Sequence, residues 1–282
     1  MKQHNKTNKV ALITGGSGGI GKAIAIKLAQ NGYNVYATTR DVESDTIVEL
    51  KRISKLEKIE ITPIYLDLAK PNSIKQCIQK IIEDTGRIDV LVNNAASGYF
   101  SAIEDIEKEK FLSQIETNVV GVIQVIQQVL PHMRAQKSGK IFNISSILGF
   151  STAPLNAPYS ASKYAIESIS ETLALEVKPF GIDVIIMQPG DFHSDFVKNA
   201  IKPKFTSESP YYKLYKRQED KTAIATAKRS PEVFAEKVAE ICESNNPKLR
   251  YMVGKEVIIK KVLHTFLIDK LWIKFLSFFY KW

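Results

Sequence analysis

The sequence contains little cysteine, and its first residues do not have the pattern expected of a secretory signal. Its two cysteines, Cys77 and Cys242, are far apart, form no CxxC pair and have no histidine nearby. That spacing excludes a disulfide framework and the usual zinc patterns, and it fits two reduced thiols. Residues 1–9 are polar and basic and precede no apolar segment of the signal-peptide kind. We therefore expect a cytoplasmic protein.

Long apolar runs, sequence repeats and nucleic-acid-binding motifs are also missing. No apolar stretch reaches the roughly 20 residues that a transmembrane helix needs, and no repeat of fixed period indicates a solenoid or propeller. The formal net charge of +9 suits an anionic cofactor, an anionic membrane surface or nucleic acid. Without a helix-turn-helix, zinc-finger or RNA-binding motif, we expect no nucleic-acid partner. No cluster of His, Cys, Asp and Glu indicates a metal site.

Hydrophobic runs alternate with helical patterns along most of the chain. The predicted strands are apolar on both faces and rich in β-branched residues: Val10–Thr14, Val35–Thr39, Ile61–Leu66, Val90–Asn93, Lys140–Ile144, Asp183–Met187 and, as a candidate last strand, Tyr251–Gly254. This alternation predicts an α/β fold, a Rossmann-type doubly wound parallel sheet with helices on both faces. We expect one domain over residues 1–254, in which the irregular, polar segment 191–229 forms a lid or substrate wall.

A glycine-rich turn joins the first strand to the first helix and reads TGGSGGIG from Thr14. Glycines allow a sharp turn and a close approach to a pyrophosphate, and the helix N-terminus supplies free N–H groups and a positive dipole end. Its place between a strand and a helix favours dinucleotide binding over an ordinary loop. The residues expected to hold the pyrophosphate are Gly15, Ser17, Gly19, Ile20 and Gly21.

The end of the second strand predicts which dinucleotide binds. An acidic residue there would bind the ribose 2′-hydroxyl and repel a 2′-phosphate. This chain has the neutral Thr39 followed by Arg40, whose planar guanidinium suits a phosphate. NADP is therefore the expected cofactor, and a surface Arg40 that merely accompanies Asp41 is the alternative.

A YxxxK motif places Tyr159 and Lys163 on one face of a predicted helix over residues 159–178. A lysine cation about 4 Å from a phenol, at an effective dielectric near 20, favours the phenolate by about 4 kcal/mol. That corresponds to about three pKa units. A tyrosine in such a setting could exchange a proton near neutral pH.

Together these motifs resemble the short-chain dehydrogenase/reductase family. The turn has the form TGxxxGxG, the segment from Asp89 resembles the family's NNAG strand end with Ala96 in place of its glycine, and Asn118 lies in a TNV segment. Ser145-Ser146 follows a strand and precedes Tyr159 by thirteen residues. The resemblance is close over about residues 9–190 and looser over 230–254. Within the family, the chain is more similar to the steroid and retinoid dehydrogenase branch than to bacterial 3-ketoacyl reductases.

The resemblance implies an oxidoreductase with a Ser-Tyr-Lys-Asn tetrad. Tyr159 would exchange a proton with the substrate oxygen, Ser146 would hold that oxygen, and Lys163 would lower the tyrosine pKa and bind the nicotinamide ribose. Asn118 would hold a water that links Lys163 to solvent. The further expected cofactor contacts are Asp67, Leu68, Asn94, Ala95, Pro189, Gly190 and Ser194. His193 either lines the substrate pocket or is an ordinary surface histidine.

The last residues, 255–282, form an amphipathic helical extension with six lysines. Aromatic and aliphatic side chains occupy most of the predicted helix over 269–282, with lysines on one face. Two interpretations are open: the extension packs on the domain or across the substrate pocket, or it lies on an anionic membrane. The presence of this C-terminal extension favours a hydrophobic ketone, alcohol or aldehyde as the substrate.

Two further alternatives concern activity and assembly. The chain could be a catalytically silent NADP-binding regulatory or membrane-associated interaction protein, although silent members of such families commonly lose one of the four tetrad residues. The resemblance also implies a homodimer or homotetramer that pairs through the long helices near 109–135 and 159–178.

Overall fold

The computed structural model describes residues 9–194, 196–224 and 229–280. Seven parallel strands form one sheet in the order β3-β2-β1-β4-β5-β6-β7. The strands are β1 Val10–Ile13, β2 Asn34–Thr39, β3 Ile61–Tyr65, β4 Val90–Asn93, β5 Gly139–Ile144, β6 Ile182–Pro189 and β7 Arg250–Val253. The strand order reverses between β1 and β4, so their carboxyl ends border the crevice in which such sheets bind ligands.

Ten α-helices are described along the chain. They are α1 Gly19–Gln30, α2 Asp45–Glu57, α3 Pro71–Thr85, α4 Lys108–Ile115, α5 Gly121–Gln136, α6 Ala157–Val177, α7 Tyr212–Ile224, α8 Pro231–Cys242, α9 Lys255–Phe266 and α10 Asp269–Tyr280. The side chains of β1 alternate between two cores, because Ala11 and Ile13 pack with α1, α2 and α8, whereas Val10 and Leu12 pack with α3, α5 and α6. The predicted Rossmann-type doubly wound sheet is confirmed.

The segment predicted to be irregular, 191–229, contains the helix α7. The sequence of this segment is mostly polar, so its hydrophobic pattern is weak. Tyr215 and Leu214 of α7 nevertheless pack with Phe205 in a small apolar cluster. The buried Tyr215 hydroxyl donates to Asp105 Oδ2 at 2.7 Å and accepts from the Ala102 N–H at 2.9 Å. Contacts with a distant part of the chain, which no local pattern shows, therefore hold this helix.

The extension forms two helices, α9 and α10, that fold back on the domain. Trp272 and Leu276 on α10 are buried, and His264 packs between the rings of Trp272 and Phe150. Arg217 of α7 donates to the carbonyl oxygen of Tyr280 at 2.7 Å. Within the described residues, no helix is long and apolar enough to cross a membrane.

Candidate active site

The predicted site residues gather at the carboxyl ends of the parallel strands. β1 leads into the glycine turn, β2 ends beside Arg40, β4 precedes Asn94, β5 precedes Ser146 and β6 ends in Pro189. Because all of these strand ends lie at one edge of the sheet, residues far apart in sequence form a single crevice.

The glycine turn approaches its neighbours too closely for larger side chains. Gly15 and Gly19 have φ angles of 63° and 50°, in the left-handed region that favours glycine. A Cβ at Gly16 would lie 2.8 Å from Ala37 Cβ, and one at Gly21 would overlap the carbonyl oxygen of Gly15. A Cβ at Gly18, by contrast, would meet nothing within 4 Å, which leaves open space above the turn.

The start of α1 is suited to an anion. Its N-cap residue, Gly18, has no side-chain cap, and its first turn carries no acidic residue. Free N–H groups and the positive end of the helix dipole therefore face the open space. Ser17 and Ile20 are half-buried in the same turn. This cradle fits the pyrophosphate of a dinucleotide.

Thr14, which the sequence prediction did not include, connects the turn to β4. Its hydroxyl oxygen accepts from the backbone N–H groups of Asn94 and Ala95, both at 3.0 Å. The Asn94 amide donates to the carbonyl oxygens of Thr14 at 3.0 Å and Gly15 at 3.2 Å. The sequence signal that could have identified Thr14 as a site residue is its position at the start of the TGxxxGxG motif. Asn94 and Ala95 thus lie directly beside the predicted pyrophosphate cradle.

Arg40 extends from the end of β2 into solvent. Among the described residues its guanidinium has no hydrogen-bond or ion-pair partner, and Asp41 instead accepts from the Glu43 N–H at 2.9 Å. Thr39 is buried and bonds to the Asp41 backbone. Arg40 is thus an exposed side chain next to Asp41, and both the phosphate contact and the surface-arginine alternative stay predictions.

The remaining predicted cofactor contacts surround the same crevice. Asp67 and Leu68 follow β3, where the Asp67 carboxylate accepts from the Ala69 N–H at 3.0 Å and Leu68 is buried. Gly190 donates its N–H to Val253 at 3.1 Å, which fixes the backbone after Pro189. Ser194 Cβ would lie 3.2 Å from a Cβ placed on Gly19, so this serine borders the glycine turn.

Tyr159 and Lys163 lie on α6, with both side chains buried. Lys163 Nζ donates to the Ile144 carbonyl oxygen at 2.7 Å and lies 5.6 Å from the centroid of the Tyr159 ring. Burial lowers the pKa of Lys163 to about 8, while the Glu167 carboxylate opposes that shift.

The expectation that Lys163 lowers the pKa of Tyr159 is wrong. Burial raises the pKa of Tyr159 above its usual value, and a hydrogen bond with the Ser146 hydroxyl opposes the rise only in part. The Lys163 ammonium group donates instead to the carbonyl oxygen of Ile144, at the end of β5. Removal of the phenol from water therefore outweighs the electrostatic effect that the sequence spacing predicted.

The structure distinguishes Ser146 from Ser145. The Ser146 hydroxyl is near enough to Tyr159 to lower the pKa of the phenol, and it accepts from the Leu148 N–H at 3.1 Å. The Ser145 hydroxyl is buried and has no hydrogen-bond partner among the described residues, and a Cβ on Gly149 would overlap it. Ser146 is thus the serine that reaches the tyrosine.

Asn118 lies in a π-helical segment, Glu116–Val120, between α4 and α5. Its amide oxygen accepts from the Ser97 N–H at 2.7 Å, and its amide nitrogen donates to Ser97 O at 2.9 Å and Ser162 Oγ at 3.1 Å. Ser162 in turn donates to the Tyr159 carbonyl oxygen at 2.7 Å. Asn118 therefore connects the loop after β4 to the turn of α6 that carries the tyrosine, in a helical distortion often found at functional sites.

Two aromatic rings that the sequence prediction missed cover Tyr159. Phe196, from the segment 191–229, lies 5.0 Å from the Tyr159 ring, and Phe100 lies 6.2 Å from it. The segment is held there because Ile201 pairs with Tyr99 as an isolated parallel bridge. No motif or residue spacing in the sequence identifies Phe100 or Phe196 as a site residue. The His193 side chain is exposed, as in the surface-histidine alternative.

Comparison with known proteins gives a consistent family. The family model described as short chain dehydrogenase matches residues 9–204. The 3-ketodihydrosphingosine reductase of Bacteroides thetaiotaomicron is 35% identical over 254 residues, which is 87% of this chain and 88% of that protein.

Two solved structures show the same fold. A metagenomic short-chain oxidoreductase in complex with NADP has a TM-score of 0.71 at 25% identity and covers 88% of this chain and 97% of its own. A short-chain dehydrogenase/reductase of Burkholderia phymatum in complex with NAD has a TM-score of 0.80 at 20% identity. The match covers 93% of this chain and 94% of that one. The second, at that identity, supports the fold alone.

Proposed function

Since the chain belongs to the short-chain dehydrogenase family, we propose that it is an NADP(H)-dependent oxidoreductase that interconverts a hydrophobic carbonyl compound and its alcohol. Members of the family bind a nicotinamide cofactor. The observation that carries the proposal is the contact of Tyr159 with Ser146 in a buried site beneath Phe100 and Phe196. A phenol and a hydroxyl held side by side can both bond one carbonyl oxygen.

The bound reduced nicotinamide would supply the hydride. Ser146 orients and polarises the substrate oxygen through a hydrogen bond, and Tyr159 donates a proton to it. The Tyr159 phenol is protonated at neutral pH, as a proton donor in the reducing direction must be. Lys163 would bind the nicotinamide ribose. The Asn118 side chain is fully hydrogen-bonded, so a water-holding role falls to its main chain in the π-helical segment.

Arg40 supports NADP over NAD. It is an exposed cation without a partner in the described part of the chain, and it follows the neutral, buried Thr39 at the strand end that faces the ribose. A guanidinium bonded to a 2′-phosphate contributes about 1.5–3 kcal/mol. That range corresponds to about 10–150-fold in affinity over NADH.

The apolar surroundings of Tyr159 support a hydrophobic substrate. Phe100 and Phe196 form the wall over the phenol, and the relative of 35% identity acts on a 3-ketodihydrosphingosine. We propose a long-chain ketone as the substrate class in the reducing direction.

An isotope experiment tests this proposal. NADPH carrying deuterium as the transferable hydride is incubated with the protein and a series of 3-keto compounds of increasing chain length. We expect deuterium on the carbinol carbon of the product and a rate that rises with chain length. Binding of NADPH with no labelled alcohol from any ketone would instead support the silent, regulatory alternative.

We propose that the extension docks on an anionic membrane at the cytoplasmic side. The hairpin surface, meaning the exposed apolar side chains of α9, α10 and their connection, consists of Ile258, Ile259, Val262, Phe266, Ile268, Leu271, Ile273, Phe278 and Phe279. Phe266 and Phe278 are 81% and 83% exposed. Apolar patches of this kind mark interaction sites. The nearby exposed Lys255, Lys270 and Lys274 complement anionic headgroups.

One helix of the hairpin, α9, also packs against the loop that follows Ser146. His264 and Lys261 of α9 contact the ring of Phe150, in the loop that follows Ser146. A membrane at this surface would bring a lipid-like ketone to the side of the domain that carries the active site.

Vesicle binding tests the docking surface. Full-length protein is sedimented with phosphatidylcholine vesicles and with vesicles that also contain phosphatidylglycerol. We expect pelleting with the anionic vesicles, less of it for Phe266→Ser and Phe278→Ser, and no loss for Leu56→Ser, an apolar residue on α2 that is 68% exposed. Equal pelleting of all variants would contradict the proposal, as would a concentration-dependent dimer abolished by the same two substitutions.

The outer faces of α4 and α6 support an oligomer. Leu112, Tyr164 and Leu175 are exposed there although they are apolar or aromatic. We propose that a homodimer or homotetramer forms through these helices. Sedimentation velocity should give a dimer or larger for the native chain and a shift to monomer for Leu175→Glu.

A further inference from the structure

An ion pair between Glu256 and Arg229 joins the C-terminal extension to the backbone that follows β6. Glu256 lies in the first turn of α9. Its Oε1 accepts from Arg229 Nη1 and its Oε2 accepts from Arg229 Nη2, both at 2.5 Å. The same Oε1 also accepts from the Asp191 N–H at 3.2 Å. One carboxylate therefore binds a side chain from the end of the segment 191–229 and a backbone amide from its beginning.

The Glu256 carboxylate lies directly against the backbone of Gly190. A Cβ on Gly190 would overlap Glu256 Oε1, so a larger residue there would displace the carboxylate. Gly254, which precedes α9, has a φ angle of 133°, and a Cβ on it would lie 2.5 Å from Arg229 Nη1. Glycine at these two positions therefore allows the ion pair to approach the backbone closely.

Arg229 contacts the same stretch of backbone at two further residues. Its carbonyl oxygen accepts from the His193 N–H at 2.9 Å, and its guanidinium carbon lies 6.0 Å from the centroid of the Phe192 ring. The Phe192 ring is itself buried against Phe234. Three consecutive residues, 191–193, thus each contact the Glu256–Arg229 pair.

Segment 190–194 lies in the half of the crevice that contains the tyrosine and serine. It follows β6, which pairs with β5, and the Ser145 N–H after β5 donates to the Met187 carbonyl oxygen at 2.8 Å. Its last residue, Ser194, borders the glycine turn. Arg40 instead follows β2, on the other side of β1 and β4. A cofactor whose 2′-phosphate is bound by Arg40 would therefore have its nicotinamide end beside segment 190–194.

We propose that Glu256 and Arg229 are positioning residues that hold segment 190–194 in place for the nicotinamide end of the cofactor. Through its first turn, the C-terminal extension then contributes to cofactor binding. The inference rests on the proposed function, because it assigns a role within the same site.

The opposite charges of the two residues separate positioning from plain electrostatics. Hydrogen bonds from Arg229 lower the pKa of the Glu256 carboxyl, so both residues are charged at neutral pH. NADPH is an anion, so a purely electrostatic effect would make Glu256→Gln bind it more tightly and Arg229→Gln more weakly. Loss of positioning weakens binding in both variants. Because the two side chains act as a pair, the double variant should lose little more than either single one.

The experiment measures the dissociation constants of two probes for the full-length protein. NADPH is compared with 2′-phospho-ADP-ribose, which keeps the 2′-phosphate and the pyrophosphate but has no nicotinamide. We expect Glu256→Gln and Arg229→Gln each to weaken NADPH binding by about 3–10-fold, the effect of one lost hydrogen bond, and to leave the affinity for the second probe within about twofold. Glu49→Gln is the control, since Glu49 forms the same two-bond pair with Arg52 within α2, and it should change neither affinity.

Three results of this comparison overturn the proposal. They are an unchanged NADPH affinity in both single variants, shifts of opposite sign in the two, and equal losses for both probes, which would indicate general damage to the fold. Both side chains are partly exposed, and either single variant suffices if the other does not fold.

Amide hydrogen exchange without nucleotide gives a second readout. We expect peptides that contain the Asp191 and His193 N–H groups to exchange at least about fivefold faster in Glu256→Gln, and at the native rate in Glu49→Gln. Unchanged exchange in Glu256→Gln overturns the proposal. A native chain that binds neither probe overturns the proposed function as well, whereas tight native binding with unmoved variants overturns the positioning role alone.

Discussion

The Tyr159→Phe substitution removes one oxygen atom and little else. The ring keeps its neighbours Phe196 and Phe100, at 5.0 Å and 6.2 Å between centroids. Ser146 loses the phenol but keeps the Leu148 N–H. One buried hydrogen bond contributes a net of about 1 kcal/mol, so the melting temperature should fall by at most about 4 °C.

Turnover should respond far more strongly than stability. Proton transfer by a positioned acid contributes about 10²–10⁴-fold. That factor corresponds to about 3–5 kcal/mol of activation free energy. NADPH consumption with a long-chain ketone, thermal unfolding and NADPH affinity are measured on the same preparation. Turnover within a factor of three of the native rate, in a folded variant that binds NADPH, would refute the assignment of Tyr159 as the proton donor.

The remaining predictions concern the cofactor. Arg40→Asp should lower the ratio of NADPH to NADH affinity by at least about tenfold, since a carboxylate repels the 2′-phosphate and can bind a ribose hydroxyl; an unchanged ratio in paired titrations contradicts the phosphate assignment. Gly21→Ala should destabilise the domain by about 1–3 kcal/mol in urea unfolding, because its Cβ would overlap the Gly15 carbonyl. Gly18→Ala, which meets open space, should leave stability nearly unchanged, and equal losses for the two would show that crowding is not the cause.

The sequence identifies those parts of the fold that have local causes. Val90–Asn93 is β4 with the same bounds as predicted, because a run buried on both faces needs no distant information. The glycine turn is equally local, since its φ angles and close contacts require glycine wherever the sheet lies.

The parts that the sequence did not predict have distant causes. The helix α7 depends on the contact of Tyr215 with residues more than a hundred positions earlier. The tyrosine pKa depends on how completely the phenol leaves water, which a motif does not show. Glu256 resembles any polar helix residue until Arg229 and the Asp191 N–H come from a distant segment to bind it.

The most direct test of the account is the binding of NADPH and NADH to the purified full-length protein, followed by fluorescence, and then NADPH consumption with long-chain ketones. We predict that NADPH binds at least about tenfold more tightly than NADH, as expected for an Arg40–phosphate contact, and that it is consumed. If neither nucleotide binds, the glycine turn and Arg40 do not form a dinucleotide site, and the central claim is contradicted.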